Sequence, residues 1–406
     1  MYALRPMRRP LMRAPRLLID WRAGEPFPAG GYTRPSDGLT RGADGVWRPC
    51  APNVPRIEWL DLDGDGMRET PTVLLEPAAT NLVLLSQDFS HWAWEKNDGG
   101  VVVTPDAGIA PDGTATADLV QDNVASGNTA WMLQTVTGAT SAGATYTFSC
   151  WLRSASGEPD TVWLGFSDNG GGWQDSAVTV TSEWRRYSFT GAFHAASTVR
   201  RVGFGRAHAF STAGALVWGA QLEAGPVATS YVPTAASAAS RSADALRFPW
   251  THAPQAMTGY LRFVERGAVA MTGVPRVLFH IGAGTAPRLF VEAFGANTTY
   301  RVAFIFAPTS SVVSPLPIAP SIGSRVELLW RLYADGSVQI EQSIDGGAPV
   351  VAARTAAIGL PTAWSGQVMR LSGVPSGGNE APAAWRDAVV LRGADWTMDD
   401  VRRLVG

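Results

Sequence analysis

The stretch that decides the fold is YTFSCWLRS, residues 146–154, in which two kinds of side chain alternate. Alternate residues of an extended chain point to opposite faces. One face is apolar and carries Tyr146, Phe148, Cys150 and Leu152, whereas the other face carries Trp151 and Arg153. The stretch therefore predicts a β-strand whose apolar face is buried in a core.

Similar segments follow at short intervals, separated by turn-forming residues. They are TVWLGFS (161–167), WRRYSFTGAF (184–193), RRVGFGRA (200–207) and LVWGAQLE (216–223). After a small, polar linker, PTAASAASRSADA (233–245), the same rhythm resumes and continues almost to the C-terminus. This spacing is typical of antiparallel sandwiches. We therefore predict an all-β protein, with an extended N-terminal leader (1–80) and two antiparallel β-sandwich (jelly-roll) domains (81–240 and 246–406).

Two local signals lie in the second sandwich. Asp335-Gly336 stands between alternating strands and predicts a tight hairpin turn. The only helical pattern is TMDDVRRLVG (397–406), with Thr397 placed as N-cap and Asp399 and Asp400 in the first turn.

The leader has weaker apolar periodicity than the rest of the chain. Its first 16 residues carry five arginines and no acid, which fits either a solvated tail or an arm that docks on an acidic partner. The leader joins the first sandwich in LLEPAATNLVLLSQDFSHWAW (74–94). Pro77 stops strand pairing there, and Phe89, Trp92 and Trp94 are predicted to fill the end of the first sandwich. Because thin leaders rarely fold alone, we expect residues 1–80 to be ordered by packing against neighbouring subunits.

Composition and charge limit the partners. The 406-residue chain is 46% hydrophobic and its net charge is -2, so electrostatics give no global attraction to nucleic acid or to an anionic membrane. No stretch reaches membrane-spanning length and the N-terminal apolar run is too short for a signal peptide. Cys50 and Cys150 are far apart in sequence and are expected to be buried or free thiols.

Candidate sugar-binding residues combine aromatic faces with polar neighbours. Trp173 stands in the glycine-rich loop SDNGGGWQD beside Asp168, Asn169, Gln174 and Asp175. Trp151, with Arg153 beside it, and Trp163 would share an outer face if their two strands pair. The alternative is that each tryptophan is covered by another strand, by the leader or by a neighbouring subunit.

The acidic turn DLDGDGMRE brings Asp61, Asp63, Asp65 and Glu69 together around Gly66. Clustered carboxylate oxygens are the ligands that calcium prefers, so calcium is the one cofactor the sequence suggests. Thr72 stands where the helical EF-hand pattern needs a glutamate, and a merely acidic surface turn is the alternative.

Catalytic patterns are missing from the sequence. Glycan-hydrolysing sandwiches need a pair of carboxylates across a cleft, and IEQSID and GNEAPAAWRD have the wrong spacing for it. The five histidines show no metal-ligand spacing, and neither a phosphate-binding loop nor a nucleophile elbow occurs. We therefore expect a protein that is not an enzyme.

An ordered series of motifs resembles a known group of proteins. GYTRPSDGLTRGADGVWRPCAPNVPRIEW, the segment 74–94, PDGTATADLV, YTFSCWLRS, SEWRRYSFTG and VWGAQLEAGPVATSYVPT together resemble the leader and carbohydrate-binding-module-like jelly roll of tailed-phage virion proteins of the head-spike and tail-fibre type. Residues 246–406 more loosely resemble concanavalin A-like or laminin-G-like sandwiches.

The resemblance implies a spike or fibre subunit on the virion surface, attached through its leader to capsid, tail or baseplate proteins. It also implies binding of host surface polysaccharide and, by analogy with fibres, a homo-oligomer, with a trimer favoured. Nucleic-acid binding and membrane insertion are not expected. A purely architectural decoration protein and a glycan depolymerase are the alternatives, and fold analogy does not separate display from scaffolding.

Overall fold

The computed structural model describes residues 17–22, 31–62, 67–97, 100–123, 130–136, 141, 143–205, 210–267, 275–283, 285–294, 299–307, 310–366, 368–373 and 381–405. The five arginines of the basic arm lie outside these residues. In the described part no helix is long and apolar enough to span a membrane.

The leader contributes six strands. They are β1 (Leu17–Arg22), β2 (Tyr32–Thr33), β3 (Gly38–Arg41), β4 (Trp47–Cys50), β5 (Ile57–Leu60) and β6 (Thr70–Leu75).

The first sandwich and its flanks contain the next twelve. They are β7 (Ala79–Asn81), β8 (Trp94–Lys96), β9 (Val101–Gly108), β10 (Ala117–Asp122), β11 (Trp131–Thr135), β12 (Thr145–Ser154), β13 (Asp160–Asp168), β14 (Gly172–Val180), β15 (Arg185–Ala192), β16 (Arg200–Gly205), β17 (Ala215–Ala224) and β18 (Ala239–Arg241).

The second sandwich contains the remaining elements. They are β19 (Ala245–Pro249), β20 (Met257–Glu265), β21 (Arg276–Ile281), β22 (Arg288–Phe294), β23 (Thr299–Ala307), β24 (Ser310–Pro315), β25 (Arg325–Leu332), β26 (Val338–Ile344), β27 (Val350–Val351), β28 (Val368–Leu371), β29 (Ala383–Arg392) and the helix α1 (Met398–Val405).

The first sandwich packs the sheet β15-β12-β17-β10-β9 against the sheet β14-β13-β16-β11-β8. All pairings between these strands are antiparallel. The alternation read from the sequence is confirmed, since Tyr146, Phe148, Cys150 and Leu152 lie in the core between the sheets. Phe89 and Trp94 also lie in this core, but the prediction for Trp92 is wrong because its side chain is 83% exposed. The all-β sandwich class is thus confirmed.

The second sandwich is built in part from the leader. One of its sheets has the order β27-β26-β25-β20-β29-β6-β5, and the other has the order β2-β19-β28-β21-β22-β23-β24. Strand β29 is flanked on one side by β20 and on its other side by β6 and then β1. Tyr32, Val73 and Leu75 belong to the core between the two sheets. The described leader residues therefore pack within their own chain, and a neighbouring subunit is not needed to explain their order.

A group of buried charges joins the leader to both sandwiches. We call it the junction cluster: Tyr32, Arg34, Arg56, Glu76, Arg241 and Asp244. Arg56 forms salt bridges with Asp244 and with Glu76, the latter at 2.8 Å between Nη1 and Oε2. Glu76 also accepts hydrogen bonds from Ser230 of the first sandwich. The cluster therefore fixes how the leader and the interdomain linker meet.

Candidate functional site

A large cleft opens where the leader crosses the first sandwich. Its volume is about 1280 Å³, and we call it the junction cleft. One wall is the leader, from the β3–β4 hairpin to β5, and the floor is the outer face of β12 and β15. The lining also includes residues 110–111 and 226–230 of the first sandwich, and Arg266 and Ile322 of the second. Clefts between domains are common binding sites, so this cleft is the candidate site.

Strand register sets the floor. Trp151 of β12 lies opposite Arg186 of β15, and its ring is 4.4 Å from the Arg186 guanidinium carbon. Leu152 lies opposite Arg185, so the next residues along the two chains are Arg153 and Trp184. The guanidinium carbon of Arg153 lies 5.2 Å from the centroid of the Trp184 ring. The floor is thus two arginine–tryptophan pairs, held in place by cation–π contacts.

Aromatic side chains on three sides hold the Trp151 ring of the floor in place. The pairing of β17 with β12 shifts register next to Trp151, at the position of Gly219, which has a left-handed backbone (φ +68°). After this shift Trp218 lies opposite Trp151. Trp218, Tyr231 and the leader residue Trp47 surround the Trp151 ring at 5.4–5.8 Å between ring centroids. Trp151 is only 4% exposed, so it offers no ring face to a ligand.

The leader wall is fixed by backbone and side-chain contacts. Trp47 of β4 donates its backbone N–H to Pro111 of the first sandwich at 3.1 Å. On β5, Glu58 is buried and forms a salt bridge with Arg266 of the second sandwich at 2.8 Å. Trp59 follows Glu58 on the same strand and lines the cleft.

Trp59 differs from the other tryptophans of the cleft, which are Trp47, Trp151 and Trp184. Those three pack in one hydrophobic cluster. Trp59 is partly buried, yet within the described residues it belongs to no such cluster, contacts no other ring and makes no hydrogen bond through its indole N–H. A partly buried tryptophan usually finds partners for its ring and its N–H, so Trp59 is the tryptophan of the cleft whose indole is least engaged by the described residues.

The lining is rich in arginine. It includes Arg41, Arg68, Arg153, Arg185, Arg186 and Arg266. Burial lowers the pKa of Arg41, and the neighbouring positive charge of Arg68 lowers it further. Burial also lowers the pKa of Arg186, whose Nη atoms donate to the Thr229 carbonyl and to Ser149.

The sugar-site residues predicted from the sequence are divided between two places. Trp151 and Arg153 line the junction cleft. Trp163 and Trp173 lie on the outer face of the opposite sheet, where Trp163 pairs with Ala177 and Trp173 with Ser167. Strands β12 and β13 do not pair, so the condition for a shared Trp151–Trp163 face is not met. Asp175 lies on the Trp173 face, opposite Gly165.

Three of the polar neighbours of Trp173 hold loops together. Asp168 accepts hydrogen bonds from the backbone N–H groups of Gly170, Gly171 and His194. Burial alone would raise the pKa of Asp168, but these hydrogen bonds lower it below its usual value. The Oδ1 of Asn169 accepts hydrogen bonds from the Ser197 hydroxyl and from the backbone N–H groups of residues 198 and 199, and its Nδ2 donates to the Thr198 hydroxyl. Gln174 donates to the Ala192 carbonyl at 2.8 Å. Their hydrogen-bonding groups thus serve the fold.

The calcium turn is only partly described. Asp61 and Glu69 are exposed, whereas Asp63 and Asp65 lie outside the described residues, so the calcium site stays a prediction. In the part of the chain that is described, no three His, Cys, Asp or Glu side chains come close enough to hold a metal ion. Cys50 and Cys150 are buried free thiols, as predicted.

Comparison with known proteins adds no assignment. Neither a family model nor a curated protein matches the chain. Similar solved structures include the tandem CBM22 domains of Paenibacillus barcinonensis Xyn10C, with 10% identity, 78% of this chain and 98% of that chain covered, and a TM-score of 0.28. The LG1–3 region of the laminin α2 chain shows 10% identity, with 64% of this chain and 68% of that chain covered and a TM-score of 0.28. Domains LG4–5 of the mouse laminin α1 chain show 10% identity, with 80% of this chain and 92% of that chain covered and a TM-score of 0.23. TM-scores this low carry no argument, so the site is interpreted from its own geometry.

Proposed function

We propose that this chain is a non-enzymatic structural protein of a tailed-phage virion, a spike or fibre subunit on the particle surface, whose junction cleft binds glycan of the host cell. The ordered motifs between residues 30 and 240 support the virion assignment. The cleft supports the binding role, because it is large enough for several sugar rings and combines tryptophan with many hydrogen-bond donors.

Trp59 is the observation that carries the glycan proposal. Pyranose rings present flat C–H faces, and they stack on indole faces that have polar groups in the same site. Trp59 lines the cleft, and within the described residues neither another ring nor a hydrogen-bond partner occupies its indole. The remaining tryptophans of the cleft are occupied by protein contacts and shape its floor and wall.

A matched pair of tryptophan variants tests this role. We expect Trp59→Ala to weaken binding of the best ligand on a glycan array about tenfold by calorimetry, since one stacking contact is lost. Trp92→Ala is the control, because Trp92 is 83% exposed and lies outside the cleft, and its affinity should be unchanged.

The alternatives have distinct signatures. No array signal, or binding that Trp59→Ala leaves intact, would contradict the proposed site and favour an architectural decoration protein. Oligosaccharides released from host polysaccharide would favour a depolymerase. The proposal includes a symmetric homo-oligomer, a trimer by analogy with fibres, and a monomer in light scattering of the assembled protein would contradict that part.

A further inference from the structure

We infer that the junction cleft selects an acidic glycan, a polysaccharide whose sugar units carry carboxylate groups. This inference rests on the proposed glycan binding and adds the charge of the ligand. It comes from how the charges of the cleft are paired.

The carboxylates of the lining are largely used by arginines. Glu58 is paired with Arg266, and Asp44 is paired at 2.5 Å with Arg48, which is not part of the lining. Glu76 is held by Arg56 and Arg241 of the junction cluster. Asp61 and Glu183 are the other acids of the lining, and both are exposed.

The arginines, in contrast, are in excess. Within the described residues neither Arg41 nor Arg68 forms a salt bridge with a carboxylate. Burial is the main cause that lowers the pKa of Arg41; the charge of Arg68 lowers it further, and the charge of Glu58 raises it. Like charges held close together favour an anion between them, and a guanidinium can bind a carboxylate through two parallel hydrogen bonds.

The interior behind the cleft adds to the positive potential. The junction cluster has three guanidinium groups against two carboxylates, and it borders the cleft through Glu76. A buried positive charge is screened less than a surface charge, so it acts on a ligand in the cleft.

The shape of the site favours a saccharide over other anions. A volume of about 1280 Å³ is far larger than a free phosphate or sulfate needs. Trp59 lines the same cleft as these guanidinium groups, a combination that suits a sugar ring bearing a carboxylate.

The experiment compares each acidic glycan with its own neutral form. The probes are oligogalacturonate, oligoalginate and α2,8-linked oligosialate, each as the free acid and as the methyl ester, with a single-stranded oligonucleotide as a further anion. Affinities are measured by calorimetry for the full-length wild type, Trp59→Ala, Arg41→Gln, Arg68→Gln and the double variant Arg41→Gln/Arg68→Gln. Arg247→Gln is the matched control, because Arg247 is exposed on β19 and lies outside the cleft.

We expect at least one free acid to bind tenfold or more tightly than its ester, with an affinity that falls as salt rises. The double variant should bring acid and ester to similar affinities, each single variant should do so in part, and Arg247→Gln should leave the preference intact. Equal, Trp59-dependent binding of acid and ester would overturn the acidic preference but leave the proposed function standing. Tighter binding of the oligonucleotide would also overturn it, and no binding of any saccharide, here or on the array, would overturn both.

Discussion

Glu76 is a buried carboxylate that two guanidinium groups hold in its charged form. Burial alone would raise its pKa, but Arg56 and Arg241, with a hydrogen bond from Ser230, lower it from 4.5 to about 2. Between these two pH values the unfolded chain binds more protons than the folded chain. The stability that the ionised carboxylate contributes is therefore complete above about pH 4.5 and is lost as the pH falls towards 2.

We expect Glu76→Gln to cost about 3 kcal/mol of unfolding free energy at pH 7, because Arg56 and Arg241 would lose a buried counter-charge. The difference between wild type and variant should shrink as the pH falls from 4.5 towards 3, as urea unfolding at each pH would measure. Parallel stability curves over that range would show that Glu76 is not the group responsible.

Alternation predicted which way a side chain points, but not what covers it. Cys150 and Leu152 were placed inward from the sequence and are in the core, and Trp151 was correctly placed on the opposite face. That Trp151 is covered by the leader depends on Trp47, which lies about a hundred residues away in the sequence. No local pattern reports such a contact, so Trp59 and Trp184 were also missed as residues of the cleft.

Turns in the second sandwich depend on glycines in the left-handed region. Gly336 in the β25–β26 hairpin has φ +77°, and a Cβ there would lie 2.0 Å from the Gly359 carbonyl oxygen. Gly346 has a similar φ of +79°, with no atom within 4 Å of an added Cβ. Replacing either glycine by alanine puts a side chain on a left-handed backbone, which costs about 1 kcal/mol of stability. Gly336→Ala must also displace the backbone of Gly359, so we expect it to lower the free energy of unfolding at least twice as much as Gly346→Ala. Thermal unfolding of both variants measures this, and equal decreases would contradict it.

Elements with local signals were predicted well. The Asp335-Gly336 hairpin is present between β25 and β26. Thr397 caps α1, since its Oγ1 accepts the backbone N–H of Asp400 at 3.2 Å. Extended segments were predicted at the end of the leader, but their place in the second sandwich was not, because β2 has only two residues and β6 pairs with β29, which is distant in sequence. Their stability comes from tertiary contacts and not from their own composition.

The two sandwiches differ in their dependence on the leader. The core of the second includes Tyr32, Val73 and Leu75, whereas the described core of the first begins at Val83. Removing residues 1–77 would therefore take two strands, β6 and β1, away from one side of β29 and leave Trp385 beside an opened core. The domain limits drawn from the sequence remain predictions, but the second sandwich extends beyond the residues after 246.

This difference predicts how fragments behave. We expect residues 78–244, expressed alone, to unfold cooperatively, because both sheets of the first sandwich and the β7–β18 pair are complete within them. Residues 238–406 should be soluble only poorly or melt well below the full chain, since an unpaired strand edge and exposed apolar surface promote aggregation. Calorimetry and light scattering of both fragments beside the full chain measure this. A fragment 238–406 that is monomeric and as stable as the full chain would show that the leader strands decorate the second sandwich and do not complete it.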